Sequence, residues 1–298
     1  MKSTIIKACS LTFAGLLIGC AARQVAAPPA APAPEPAAVV TPVEVRLGKL
    51  IAVNQNTFTL KNEADTERYE KAVVDIVNPA YARHVPGLQI LVCKGDRGVN
   101  AGRYVQLWNF DTQARRDYYF PVPDANEYPV AAAAFEPLNA EFEEKWEFTS
   151  ADFVESDTVR TYTDYVLVGG DQIAEMPLVG LLGIHESTNL KAGMEEAFET
   201  FITDKWYPAT LGQIPGFDWF VYKGDRGANI GGYISVAALD SPSRRDAYWP
   251  EPGTASEAWT EAWRPFEELA NEFNTYFDPA DTTAGEPVDV YTDWVIIK

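Results

Sequence analysis

Two eleven-residue stretches carry most of the charged and glycine residues that are placed to do chemistry. They read KGDRGVNAGRY from Lys94 and KGDRGANIGGY from Lys223. Glycines next to Lys94 and Arg97, or Lys223 and Arg226, are what a backbone anion cradle needs, because amide groups must approach the ligand closely beside a positive charge. A phosphate loop, however, follows a strand and opens a helix, whereas each of these phrases lies between two apolar, strand-like runs. The alternative is a hairpin connection, with the glycines supplying unusual backbone angles and Asp96, Asn100, Asp225 and Asn229 bonding neighbouring amides. Tyr104 and Tyr233 end the phrases. A second charged pair of segments, RRD at Arg115-Arg116-Asp117 and at Arg244-Arg245-Asp246, stands where the chain turns toward a helix. These arginines could clamp a carboxylate or pair with Asp164 and Asp293. Charges kept in both copies favour a shared structural framework, with Asp96 and Arg97 pairing to Arg116 or Asp117 of the following segment.

Residues that differ between the copies are the better candidates for a site. The chain has two histidines, His84 and His185. His185, beside Glu186 in a strand-like run, aligns with Gln55; one of this adjacent pair faces the sheet interior. Trp219 and Trp249 belong to an aromatic set that either packs a core or lines a cavity. The sequence carries no metal-ligand cluster, GxSxG elbow, dinucleotide fingerprint or Cys-His spacing.

The elements that must position these residues repeat. Lys94 and Lys223 are 129 positions apart, and the same offset relates Pro79 to Pro208, Pro86-Gly87 to Pro215-Gly216, and Tyr162-Thr163-Asp164 to Tyr291-Thr292-Asp293. In the second copy, Met194, Ala197, Phe198, Phe201 and Ile202 recur at helical spacing until Pro208 ends the helix. FDWFVYKG is a strand, GDRGANIGG a loop and YISVAALD the returning strand. Thr254 with Glu257 offers a capping box for a helix that Pro265 bends, and VYTDWVIIK closes as a strand. The first copy predicts strands near 48–60, 88–94, 103–110 and 163–169, and helices near 63–82 and 126–147. The order is β-α-β-β-α-β, twice.

This order, with Pro-Gly before the second strand, resembles the dimeric α/β-barrel superfamily, which includes antibiotic-biosynthesis-type monooxygenases and EthD-like and NIPSNAP-like proteins. The resemblance implies an α+β chain of two tandem ferredoxin-like units, 46–170 and 179–298 joined by 171–178, packed as an intrachain dimeric α/β barrel. A barrel-forming homodimer is then unnecessary. It also implies, as one function, cofactor-free or haem-dependent oxygenation with His185, Glu186 and nearby tryptophans. The polar framework kept in both copies and the absence of catalytic motifs favour instead a non-catalytic binder of a small molecule or envelope component. A structural or assembly factor of the envelope is the third reading.

The N-terminus predicts a location. Lys2 and Lys7 precede an apolar run too short to span a bilayer, which ends in Leu17-Ile18-Gly19-Cys20. This resembles a lipoprotein signal over residues 1–19, with Cys20 lipidated. Ala21 follows rather than aspartate, which implies the outer membrane, facing the periplasm. Residues 20–45, rich in alanine and proline, form a semi-stiff tether. With Cys9 in the signal and Cys20 in the anchor, Cys93 stands alone and reads as a buried thiol. A net charge of −19 argues against nucleic acid. The expected protein is a membrane-anchored envelope protein with a small-molecule ligand.

Overall fold

The computed structural model describes residues 44–54, 56–123, 127–156, 162–187, 190–278 and 292–298, without the side chains of Asn54, Glu186 and Ser187. The signal stretch, Cys20, most of the tether and Gln55 lie outside them. The first unit runs β1 (Leu50–Asn54), β2 (Phe58–Leu60), α1 (Thr66–Ala72), α2 (Asn78–His84), β3 (Leu88–Gly98), β4 (Tyr104–Phe110), α3 (Gln113–Tyr119), α4 (Pro129–Lys145), β5 (Phe153–Glu155) and β6 (Tyr162–Leu167). The second runs β7 (Leu181–Ser187), α5 (Glu195–Phe201), α6 (Tyr207–Thr210), β8 (Phe217–Gly227), β9 (Tyr233–Leu239), α7 (Pro242–Tyr248), α8 (Glu257–Trp263), α9 (Glu267–Thr275) and β10 (Thr292–Ile296).

Strand pairing fixes the architecture. The first unit orders its strands β6-β1-β4-β3 and the second β10-β7-β9-β8, which is the ferredoxin-like order in both. β6 then pairs with β8, and β10 with β3, so that the ring β1-β6-β8-β9-β7-β10-β3-β4 closes on β1 with every pair antiparallel. This is an α+β chain with two ferredoxin-like units forming one barrel. Apolar residues alternate inward along each strand. Leu91, Cys93 and Leu107 of one unit meet Phe220, Tyr222 and Trp294 of the other in a single packed core. The Tyr222 hydroxyl donates to the Gly48 carbonyl across the units at 2.7 Å. Cys93 is fully buried there, and burial pushes its thiol pKa up, so it is a packing residue with little thiolate.

The KGDRG phrases are not loops. β3 and β8 continue through Gly98 and Gly227 because each phrase pairs with the last strand of the other unit. Asp164 faces Arg226 while Tyr165 faces Gly224, and Asp293 faces Arg97 while Trp294 faces Gly95. Asp225 and Asp96 are therefore the extra residues of matching β-bulges. Glycine is required beside each bulge. A Cβ on Gly95 would lie 2.1 Å from the Asn100 carbonyl oxygen, and one on Gly224 1.9 Å from that of Asn229. Gly98 and Gly227, at φ 96° and 102°, take backbone angles that side chains disfavour.

Local corrections have local causes. The RRD segments are not turns but short helices, α3 and α7, capped by Thr112 and Ser241 side chains accepting from Arg115 N and Arg244 N. Pro208 does not end its helix, which continues to Thr210. A π turn at Ile202–Trp206, matched by Val73–Val77 before Pro79, widens the helix where proline lacks a donor and crowds the preceding carbonyl. α8 is capped by Ser256, which accepts from Trp259 N, rather than by Thr254. Pro265 sits in a 3-10 turn between α8 and α9. The single strand expected over 48–60 is two, β1 and β2.

Arg116 and Asp164 are each 2 % exposed at the side chain and meet at 2.5 Å. Replacing Arg116 with Met strands a buried carboxylate, which should cost about 3–5 kcal/mol and lower the urea midpoint accordingly. Asp225→Ala, at a position 36 % exposed, should cost roughly 1 kcal/mol.

Candidate functional site

The charged residues singled out in sequence assemble into two equivalent clamps between the units. Arg116 on α3 donates through Nη1 to Asp164 on β6, through Nη2 to Asp225 of the opposite unit at 2.5 Å, and through Nε to its neighbour Asp117 at 2.7 Å. Arg226 donates back to Asp117 at 2.7 Å and to the Phe120 carbonyl at 2.6 Å. The second clamp repeats this. Arg245 holds Asp293 and Asp96 at 2.5 Å and Asp246 at 2.8 Å, while Arg97 holds Asp246 at 2.7 Å and the Trp249 carbonyl at 2.6 Å. Burial alone would favour a neutral guanidinium, but the carboxylates of Asp225 and Asp164 more than offset it and raise the Arg116 pKa. Asp96 and Arg97 thus pair with Arg245 and Asp246 of the other unit, not with Arg116 and Asp117.

The remaining framework residues brace strands from within or across the units. Lys94 Nζ and the Tyr104 hydroxyl both donate to Glu70 on α1, at 2.7 and 2.9 Å. Lys223 and Tyr233 do the same to Glu199 on α5, at 2.6 and 2.5 Å. Burial, then the bond to the carboxylate, raises both tyrosine pKa values, so the phenols stay donors. Asn100 reaches Thr292 and Asn229 reaches Thr163 and Tyr165. The partners Glu70 and Glu199 carry the 129-residue offset and were legible by it.

The residues that differ between the copies come together elsewhere. A cleft of about 640 Å³ opens on the second unit, over the outer, helix-facing side of β7, β8 and β9. Its floor is His185, Phe217, Trp219, Ala237 and Leu239, and Trp249, Pro252 and Gly253 form one wall. Gly98 and Val99 of the first unit close the opposite rim, beside the clamp residues Arg97, Arg245 and Asp293. His185 lies nearly parallel to Trp219, with ring centroids 6.2 Å apart and planes 18° apart. Behind the wall, Trp259 meets Trp249 at a tilt, centroids 4.2 Å apart, and stacks on Trp263 at 5.1 Å, and Trp263 reaches Trp219 at 6.3 Å. His185, Trp219 and Trp249 are therefore brought together. Glu186 takes the next strand position, facing Ile234 in the pairing register, with its side chain outside the described residues. The register also corrects the alignment of His185. Leu181 pairs with Leu239 as Leu50 pairs with Phe110, which matches His185 to Asn54 rather than Gln55.

The chain matches no protein-family model and no curated protein. Among solved structures it is similar to an anthrone oxidase-like protein (16% identity, TM-score 0.38, covering 84% of this chain and 92% of that one). It is also similar to a monooxygenase-like protein of Lactobacillus acidophilus (10%, 0.44, 84% and 95%) and a heme-binding protein of Thermus thermophilus (7%, 0.37, 86% and 94%). At these scores the likeness carries no weight on function. The assignment to the α/β-barrel architecture rests on the strand order and its closure.

The cleft does not fit haem. Haem brings two carboxylates, and the two cations in the wall, Arg97 and Arg245, are already committed to Asp246, Asp96 and Asp293. Asp293 lies in the same wall, so further anions would meet like charge. Among the described residues no group of three or more His, Cys, Asp and Glu is placed to hold a metal. Hemin titrated into the protein should give no Soret shift that depends on His185. A shift abolished by His185→Ala would overturn this.

Proposed function

We propose that this is a lipid-anchored envelope protein whose second unit binds a flat, uncharged aromatic molecule. The observation that carries the reading is the aromatic-floored cleft with its cations already neutralised. Ligand sites are mostly apolar hollows with a few placed polar groups, and 640 Å³ lies within their usual range. Rings presented by Phe217, Trp219 and Trp249 favour a planar partner by stacking and edge contacts. With Arg97 and Arg245 paired, net charge on the ligand gains nothing from them, and neutrality is the cheaper state. The anchor follows from the Gly19-Cys20 signal, and the alanine- and proline-rich tether gives the barrel reach from the bilayer.

A second reading is favoured by His185, an imidazole on the cleft floor. There it would act as a general base. It would take a proton from an activated methylene group of the bound aromatic, and the resulting carbanion would pass electrons to dioxygen. The balanced outcome consumes one methylene group and one dioxygen and yields one ketone and one water. Both C–H bonds are replaced by the carbonyl double bond, one oxygen atom enters the ketone, and the other leaves in water with the two hydrogens. Dioxygen is the only oxidant required.

Calorimetric titration of the purified protein with 2-naphthol should give one site with a Kd on the order of 100 µM. No heat of binding would overturn the binding reading. With anthrone, oxygen uptake by the wild-type protein that His185→Ala abolishes would favour the oxygenase; binding without uptake would leave a binder. For the anchor, Cys20→Ala should shift the protein from the membrane to the soluble fraction. Retention in the membrane would sink the lipobox.

A further inference from the structure

The two units differ in one row of residues on their helix-facing sides. In the first unit, the register places Ala52, Trp108 and Ile90 side by side across β1, β4 and β3. In the second, the same row is Gly183, Ala237 and Trp219 across β7, β9 and β8. The bulky indole has moved one strand over, and the central position has shrunk to a methyl group. The next row repeats the exchange: Leu50, Phe110 and Leu88 become Leu181, Leu239 and Phe217.

The first unit fills this space with its own side chain. The Trp108 ring lies 6.3 Å from Phe110, 6.0 Å from Phe120 and 6.1 Å from Phe135. By strand register and by the 129-residue offset, Phe110 and Phe120 correspond to Leu239 and Trp249, and both line the open cleft. The volume that holds an indole in one unit is thus vacant at the equivalent place in the other, with an aromatic residue kept on its wall. Even an apolar hollow of roughly 150 Å³ accepts benzene.

We propose that Ala237 is the specificity-determining residue of the cleft, and that the ligand carries a fused, planar, uncharged ring system seated over Ala237 and Gly183 where the first unit holds the Trp108 indole. Trp108 is an internal copy of the ligand, and it confines binding to one site per chain. This rests on the binding reading above and specifies its ligand. Gly183 matters with Ala237, since a flat ring approaches the sheet most closely where neither strand presents a side chain beyond Cβ. The clamp residues at the rim recur in both units, so it is the floor, not the rim, that makes the second unit the binding one.

The test uses calorimetry with 2-naphthol, indole and hexanol on the full protein and two variants, with folding checked by circular dichroism and melting temperature. The wild-type protein should bind one 2-naphthol at least tenfold more tightly than hexanol. Ala237→Trp, which copies the first unit, should weaken 2-naphthol by at least thirtyfold while remaining folded. Trp108→Gly should gain a second site, taking indole stoichiometry from one to two, and indole should raise its melting temperature more than that of the wild type. A folded Ala237→Trp that binds 2-naphthol within threefold of wild type overturns the proposal. If that variant does not fold, Trp108→Gly decides, and an indole stoichiometry still at one overturns it. A wild-type protein that binds hexanol but neither aromatic overturns the ring class and leaves a ligand cleft. One that binds none of the three removes the binding reading itself.

Discussion

The fold depends on one join made twice, the pairing of each unit's last strand with the KGDRG strand of the other. A four-stranded ferredoxin-like sheet has two bare edges, and an exposed edge is a template for association. Here β6 covers β8 and β10 covers β3, and the ring has no long open edge left among the described residues. The join needs a specific backbone. The bulges at Asp96 and Asp225 break the strand alternation, and Gly95 and Gly224 let the hairpin loop fold back onto the strand. Arg116 and Arg245 then bind the bulged aspartate of one unit and the strand aspartate of the other. A buried ion pair is weak evidence for net stability, since desolvation offsets much of its attraction. What it supplies here is register. A one-residue slip of the join would separate Asp225 from Arg116 and Asp96 from Arg245 and would turn the inward side chains out of the core.

That constraint explains how the copies diverged. Both must keep the aspartate, arginine and asparagine of the phrase, because each of these is completed by a partner in the other unit. The helix-facing surface carries no such obligation, since its residues are packed within a unit. There the first unit settled on Trp108 and the second on Ala237, and the aromatic bulk moved to Trp219 on the cleft floor and to Trp259 and Trp263 behind it. Polar identity and apolar divergence are two results of the same duplication.

Much of this was legible from the chain. The 129-residue offset, the β-α-β-β-α-β order and the buried cysteine follow from local pattern, and they describe the units correctly. What the pattern could not carry was anything that one unit does to the other. KGDRG has the composition of a turn, and it becomes strand only because the last strand of the other unit, far off in sequence, pairs with it. The partners of Asp96 and Arg97 lie across the barrel rather than in the following segment for the same reason. Pro208 reads as a stop signal, but the helix is held by packing of Phe198, Phe201 and Trp206 and absorbs the proline as a π turn. His185, Trp219 and Trp249 stood out by residue type. Ala237 did not, because an alanine in an apolar strand carries no signal until it is set beside Trp108.

The arrangement also decides where a ligand can be. In many barrels the interior is the natural hollow, but here both units fill it with Leu91, Tyr222 and Trp294 among others, and the clamp locks it. Space is left on the outer face, between the sheet and the helices, and its rim is built from groups whose charge the clamp has consumed. A site of this kind discriminates by shape. Charged neighbours normally attract or repel a ligand at a distance, but Arg245, held by three carboxylates, and Arg97, held by Asp246 and two backbone carbonyls, have their charge balanced locally. Selection then falls to contact distances at the floor, where a single side chain changes the depth by the thickness of a ring. On the binding reading proposed above, the clamp that joins the two units is thereby also the reason that the cleft selects flatness rather than charge.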